Sequence, residues 1–268
     1  MKTMPHGSLA NCTILGILTA LVGAAGLIGS DGHPASNREA YGSLAVAIVR
    51  EDTIVVAADS RTVTDGVINP DTTCKITVVN DVVFAATGLL RGNRNALAIV
   101  DYARSILTGP TKISYKIKTF QSGVSKLLTS WVDIPEDRDA LITSSEFRNK
   151  HSIHSMFCFF SSGKPVVVEY GFVPSIVGRR FKVAGAYDAG VRKPGEILWI
   201  GSMEQTDTLM KIDKEFSRRV RLLDAVSAAK ALLLKQMQFT PAMVGGDIDI
   251  VLVTSKGAGW VQRKQNCY

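Results

Sequence analysis

Apolar residues fall along this chain in three blocks: short runs bounded by turn residues, then two stretches of helical period, then short runs again. In the first block, residues 44–49 and 53–58 are apolar runs separated by Glu51-Asp52, and they predict two strands joined by a turn. Thr64-Asp65-Gly66 and Asn69-Pro70-Asp71 punctuate a loop. Residues 76–79 and 82–87 flank Asn80-Asp81, a hairpin signal, and Gly88 follows. Helical spacing then takes over. Leu97, Val100, Ala103, Ile106 and Leu107 predict a helix over about 96–107, with Asn93 or Asn95 as its cap and Gly109-Pro110 as its stop. Ile117, Phe120, Val124, Leu127, Leu128 and Trp131 predict a second helix over about 115–131, in which Gly123 is the weak position.

A charged stretch, residues 135–150, precedes the third block. Residues 153–160 and 165–172 flank Ser161-Ser162-Gly163-Lys164 and predict a hairpin. Residues 181–184 and 197–200 read as further strand pieces, with turns at Asp188-Ala189-Gly190 and Lys193-Pro194-Gly195. An alanine- and leucine-rich helix over about 222–238 has Asp224 near its start. Gly245-Gly246 then leads into an alternating strand over 247–254. The order predicts an α+β chain with antiparallel pairing.

The first 35 residues stand apart. Lys2 and His6 precede an apolar stretch from Thr13 to Gly29, the shape of a secretory signal, with cleavage near Ala25 or Ala35. An uncleaved membrane anchor is the alternative, and either reading places the protein outside the cell or in its envelope. Leu9-Ala10-Asn11-Cys12 lies before the apolar stretch, which argues against a lipoprotein signal. In the whole chain of 268 residues, 46% are apolar and 21% charged, which fits a buried core and excludes disorder. The net charge is +7, but Lys and Arg are scattered, with short clusters such as Arg218-Arg219-Val220-Arg221. A solvated basic surface accounts for them, and no nucleic-acid motif is present. Cys12 goes with the leader. Cys74, Cys158 and Cys267 form no disulfide framework or zinc spacing, so buried free thiols are expected, with a Cys74–Cys158 bridge left open.

The candidate chemistry rests on Ser43, Asp59 and Lys75, spaced at equal intervals of sixteen residues. Ser43 opens the first strand, Asp59 ends the second and Lys75 heads the third. If cleavage after Gly42 frees the amine of Ser43, one residue holds both a nucleophilic hydroxyl and its base. An α-amine titrates near pH ~8, so much of it is neutral under mild conditions and can take the hydroxyl proton. Lys75 disfavours a second positive charge on that amine, and Asp59 holds Lys75 charged and oriented. His151 and His154 read as a strand start rather than a metal site, and no Ser-His-Asp triad is supported.

Gly42-Ser43, the run Val55-Val56-Ala57-Ala58-Asp59-Ser60-Arg61, Cys74-Lys75-Ile76 and Val83-Phe84-Ala85-Ala86-Thr87-Gly88 together resemble the proteasome β-subunit family of N-terminal-nucleophile hydrolases. The likeness is strong over residues 42–88 and weaker to about Ser255. It implies a four-layer α/β/β/α sandwich of two antiparallel sheets, with the nucleophile heading a central strand. It also implies a leader at 1–35, a propeptide linker at 36–42 and a hydrolase-like domain over 43–268. Ser43, Asp59 and Lys75 would then be catalytic, and the Gly88 backbone N–H would face the developing oxyanion. Gly201-Ser202 resembles the family's glycine–serine turn near the active site, so Ser202 is a supporting candidate; Arg61 is expected to brace a loop. No metal or cofactor is implied.

The chain departs from the family in two respects. Ser43 replaces the usual threonine, losing the methyl that restricts the rotamer. Pro241 and Val244 occupy positions where the family has an aspartate and a serine that support the free amine, and Asp247 and Ser202 are nearby candidates to compensate. Three functions follow as expectations. The first is a hydrolase of peptide or amide bonds acting through Ser43. The second is a non-catalytic scaffold or binding protein of the same fold, and the third a small-molecule amidase or acylase. The substrate is the expected partner; assembly into a homo-oligomer and membrane attachment through the leader are left open.

Overall fold

The chain divides into two units, Met1–Ser36 and Asn37–Tyr268. The structure, a computed structural model, describes residues 40–42, 44–64, 67–68, 73–91, 98–132, 153–177, 180–265 and 267, all in the second unit. The leader, Ser43, the loop residues Asp65, Gly66, Asn69, Pro70 and Asp71, the expected caps Asn93 and Asn95, the stretch 135–150 and His151 lie outside the described residues.

In chain order, the first block holds β1 (Ala40–Gly42), β2 (Leu44–Val49), β3 (Thr53–Asp59), β4 (Thr62–Thr64), β5 (Val67–Ile68), β6 (Ile76–Val79) and β7 (Val82–Arg91). Helices α1 (Ile99–Leu107) and α2 (Ile113–Val132) follow. Then come β8 (Ile153–Ser161), β9 (Lys164–Val177), β10 (Arg180–Val191) and β11 (Ile197–Gly201). Helices α3 (Glu204–Ile212), α4 (Lys214–Leu222) and α5 (Ala225–Phe239) precede β12 (Ile248–Thr254) and β13 (Gly257–Gln262). The strands build two antiparallel sheets. One is five-stranded, in the order β11-β2-β3-β12-β13. The other is eight-stranded and runs β10-β9-β8-β7-β1-β4-β5, with β6 also on β7.

The apolar runs are continuous because both faces of these strands are covered. In β2, Ala45, Ala47 and Val49 face a core shared with Val83 and Ala85 of β7, while Leu44, Val46 and Ile48 face a core shared with Leu232 and Leu233 of α5. β7 divides in the same way: Phe84 and Ala86 turn to a third core with α1 and α2. There Phe84, Phe120 and Phe157 pack with ring centroids 4.9 to 5.2 Å apart. Each such fully buried side chain contributes roughly 1.5–3 kcal/mol. Cores on either side of both sheets are compatible with a layered sandwich, and the architecture is α+β.

Several expectations are corrected. α1 begins at Ile99 rather than near 96. Asp188-Ala189-Gly190 is no turn but lies within β10, opposite Glu169, Val168 and Val167 of β9. The helix expected from 222 starts at Ala225, because Asp224 caps it by accepting from the Ser227 amide at 3.0 Å. Helices α3 and α4 were not expected; their sequences are charged and each buries few side chains, though Phe216 and Val220 of α4 fall at helical spacing. Asp213 separates the two helices and caps α4 through the Phe216 amide at 2.9 Å. Gly123, the weak position of α2, is explained by α1: a Cβ there would lie 1.6 Å from Tyr102 Oη. Cys74 is disulfide-bonded to Cys267, neither a free thiol nor a partner of Cys158. Cys158 remains a free, buried thiol whose pKa burial pushes up.

Candidate functional site

Asp59 ends β3 at the point where pairing with β2 gives out. The last backbone pair is Ala45 with Ala58, and beyond it the Leu44 amide donates to Asp59 Oδ1 at 3.1 Å. Lys75 immediately precedes β6 and is tied to β7 by its carbonyl, which accepts from the Ala86 amide at 3.0 Å. Its Nζ reaches Asp59 Oδ1 at 2.5 Å, and both side chains are 0% exposed. The other carboxylate oxygen accepts from the Gly245 amide at 3.0 Å. A buried charge pair is tolerable only with such added donors, because the desolvation of each ion must be offset. The structure thus brings Asp59 and Lys75 together beside the first residue of β2.

Ser43 lies outside the described residues; its neighbours on either side are described. Gly42 belongs to the eight-stranded sheet, where it pairs with Gly88 of β7 and Thr62 of β4. Leu44 belongs to the five-stranded sheet. Gly42 and Leu44 therefore belong to different sheets. Gly88 has φ +84°, a conformation that suits glycine, and pairs on its other side with Ile153. Gly201, with φ +90°, pairs with Leu44 and places half-buried Ser202 just beyond the start of β2. Ser60 Oγ and Thr87 Oγ1, next in sequence to Asp59 and Gly88, are buried without a hydrogen-bond partner among the described residues.

Arg61 braces the glycine pair. Its Nη1 donates to the Pro241 carbonyl, and the amides of Ser60 and Arg61 share the Gly245 carbonyl at 3.1 and 3.0 Å. The guanidinium lies against Gly245 so closely that a Cβ there would sit 2.5 Å from its Cζ. Gly245 in turn supplies the amide that binds Asp59, so the brace acts on the carboxylate. Pro241 and Asp247 are exposed, and Val244 is buried among the residues under α5.

A second ion pair lies one rung away, and the sequence reading missed it. Asp249 sits opposite Ala58 in the β12–β3 ladder and meets Lys264 Nζ at 3.4 Å, with the carboxylate 1% and the lysine 2% exposed. An aspartate inside the apolar run Ile248-Asp249-Ile250 was its one sequence signal. Burial pushes the pKa of Lys264 down, and Asp249 opposes that shift. His154 lies in β8 opposite Thr87, and burial lowers its pKa as well. Among the described residues no group of three or more His, Cys, Asp or Glu could hold a metal ion, and no helix is long and apolar enough to cross a membrane. An open cavity of about 910 Å³ between α2 and strands β8–β10 is lined by Ile113, Ile117, Phe159 and Val168 and includes none of the site residues. No family model matches the chain, and no curated protein matches it.

Proposed function

We propose that the chain is an N-terminal-nucleophile hydrolase of the proteasome β-like fold. It cleaves peptide or amide bonds through Ser43 once the preceding residues are removed. The observation that carries this reading is the fully buried Asp59–Lys75 pair, tied through Leu44 N to the residue after Ser43. The freed α-amine takes the hydroxyl proton, and the Ser43 oxygen attacks the carbonyl carbon. The Gly88 amide supports the oxyanion, the amine returns the proton to the leaving nitrogen, and water then hydrolyses the acyl-enzyme. Lys75 keeps the amine neutral by its charge, and Asp59 keeps Lys75 in place.

Peptide is favoured over a compact amide by β1. Ala40–Gly42 lies between β7 and β4, hydrogen-bonded to both, so its departure opens a slot that another extended backbone can enter. The buried hydroxyls of Ser60 and Thr87 are also of the kind that collects at functional sites. The disulfide accords with an oxidising compartment, and hence with a secreted or envelope protein. The competing scaffold reading is favoured by Val244, whose side chain is committed to the core where the family places a hydroxyl.

N-terminal sequencing of natively expressed protein, with a peptide and amide library on the parent and on Ser43→Ala, tests the proposal. A mature terminus at Ser43, with hydrolysis that Ser43→Ala abolishes, is expected. Equal hydrolysis by a protease-free Ser43→Ala sample, or an inert parent whose terminus is elsewhere, overturns it. Preference within the library separates a peptidase from a small-molecule amidase.

A further inference from the structure

We propose that the C-terminal tail clamps the segment carrying Lys75, so that the redox state of the Cys74–Cys267 disulfide controls the Ser43 site. The catalytic half of this inference rests on the function proposed above; the clamp itself does not.

Residues 73–75 precede β6 and lie outside its ladder with β7. The tail grips them at adjacent points. Lys264 Nζ donates to the Thr73 carbonyl, and Cys267 is bonded to Cys74, the neighbour of Lys75. The tail is held in turn by Asp249. The Lys264 amide donates to Asp249 Oδ1 at 2.8 Å, its ammonium pairs with Oδ2 at 3.4 Å, and Cys267 Sγ lies 3.7 Å from Oδ2. Asp249 faces Ala58 across the β12–β3 ladder, one residue before Asp59. The contacts close a circuit from Asp59 through Lys75, Cys74, the tail and Asp249 back to β3. One link in that circuit is a reversible covalent bond.

Cys74 is partly exposed and Cys267 buried, so a dithiol reductant reaches the bond from the Cys74 side. A reductant thiolate bonds to Cys74 sulfur, the S–S bond breaks, and its electron pair leaves on Cys267, which takes a proton. The second reductant thiolate then closes the reductant's own disulfide and releases Cys74, which takes the second proton. The protein gains two electrons and two protons, and the dithiol becomes a disulfide. The tail keeps its non-covalent contacts, those of Lys264 and of Cys267 with Asp249, and Lys75 loses its nearest covalent anchor.

The test uses the full chain, acylated with an N-hydroxysuccinimide ester of acetate and read lysine by lysine through peptide mass spectrometry. Lys118 is exposed and reports reagent; Lys116 is buried, donates to the Leu107 carbonyl at 2.5 Å and reports global unfolding. In the oxidised protein Lys118 reacts while Lys75 and Lys116 are protected. After dithiol reduction, and in Cys267→Ser, Lys75 acylation should rise about tenfold or more with Lys116 unchanged, the mark of local opening. Reoxidation should restore protection to the reduced parent. A purified protein without the bridge, a Lys75 that stays protected on reduction, or Lys75 and Lys116 opening together each overturns the clamp. Hydrolysis measured on unacylated aliquots of the same samples should fall as Lys75 protection falls. An oxidised parent that hydrolyses nothing removes the catalytic reading, whereas activity unchanged by reduction removes the redox control alone.

Discussion

The Leu44 amide and the Lys75 ammonium share one oxygen of Asp59, at 3.1 and 2.5 Å. The start of β2 and the head of β6 are therefore joined through a single buried carboxylate. Asp59→Asn keeps the shape but strands the ammonium, and it turns an amide NH₂ or a neutral oxygen toward groups that expect a carboxylate. It should cost about 3–5 kcal/mol. Lys75→Met should cost less, because Asp59 keeps the Leu44 and Gly245 amides. The double variant should be more stable than the sum of the two losses implies. Urea unfolding of all four proteins at neutral pH measures this, and strict additivity would count against the pair.

At the proposed nucleophile, Ser43→Thr should retain or raise hydrolysis, since threonine supplies the same hydroxyl on a more restricted rotamer. Lys75→Ala should abolish hydrolysis, as should Ser43→Ala. Ser43→Ala should leave stability within about 1 kcal/mol of the parent. Rates on a cleaved library substrate, with melting curves on each variant, check the set.

Gly123→Ala improves helix propensity by about 1 kcal/mol in isolation. In this fold it should destabilise instead, by roughly 1–3 kcal/mol, because the new methyl drives Tyr102 out of its place over α2. The pair Gly123→Ala with Tyr102→Phe should recover part of the loss, since Tyr102 Oη is the nearest atom. Chemical denaturation midpoints decide it.

His154 titrates lower when folded than unfolded because burial disfavours its charge. Between the two pKa values the unfolded chain binds more protons. The stability this contributes is complete above the unfolded value, about 6.5, and is lost as pH falls below it through the folded value. Melting temperature should drop from pH ~7 to ~5, and His154→Gln should flatten that drop. An unchanged slope in the variant would refute the assignment.

What the sequence disclosed followed from local physics. Leu44–Val49 and the apolar body of β3 read as strands because their residues are buried on both faces, which left no polar interruption to mislead. Asp59 and Lys75 were visible as charges at the ends of such runs, where burial demands a partner. The rest depended on distance in the chain. Cys74 and Cys267 are separated by 193 residues, and nothing near either announces the other. Arg61 against Gly245, or Asp249 beneath Lys264, likewise exists only once β3 and β12 are paired. α3 and α4 were missed although Phe216 and Val220 of α4 fall at helical spacing; their sequences are charged, and each helix buries few side chains.

The short strand before position 43 also has a kinetic meaning. Ala40–Gly42 is only three residues long, paired with both β7 and β4, and its covalent continuity with β2 helps to hold it there. That continuity gives it an effective concentration on the order of millimolar or more. A cut after Gly42 removes this advantage at once. The released segment, paired through only three residues of β1, then competes at its bulk concentration, and a peptide that pairs over a longer stretch would displace it. The bond that would free the Ser43 amine is thus the same bond that keeps the slot beside Gly88 filled, so activation and vacancy would arrive in one event.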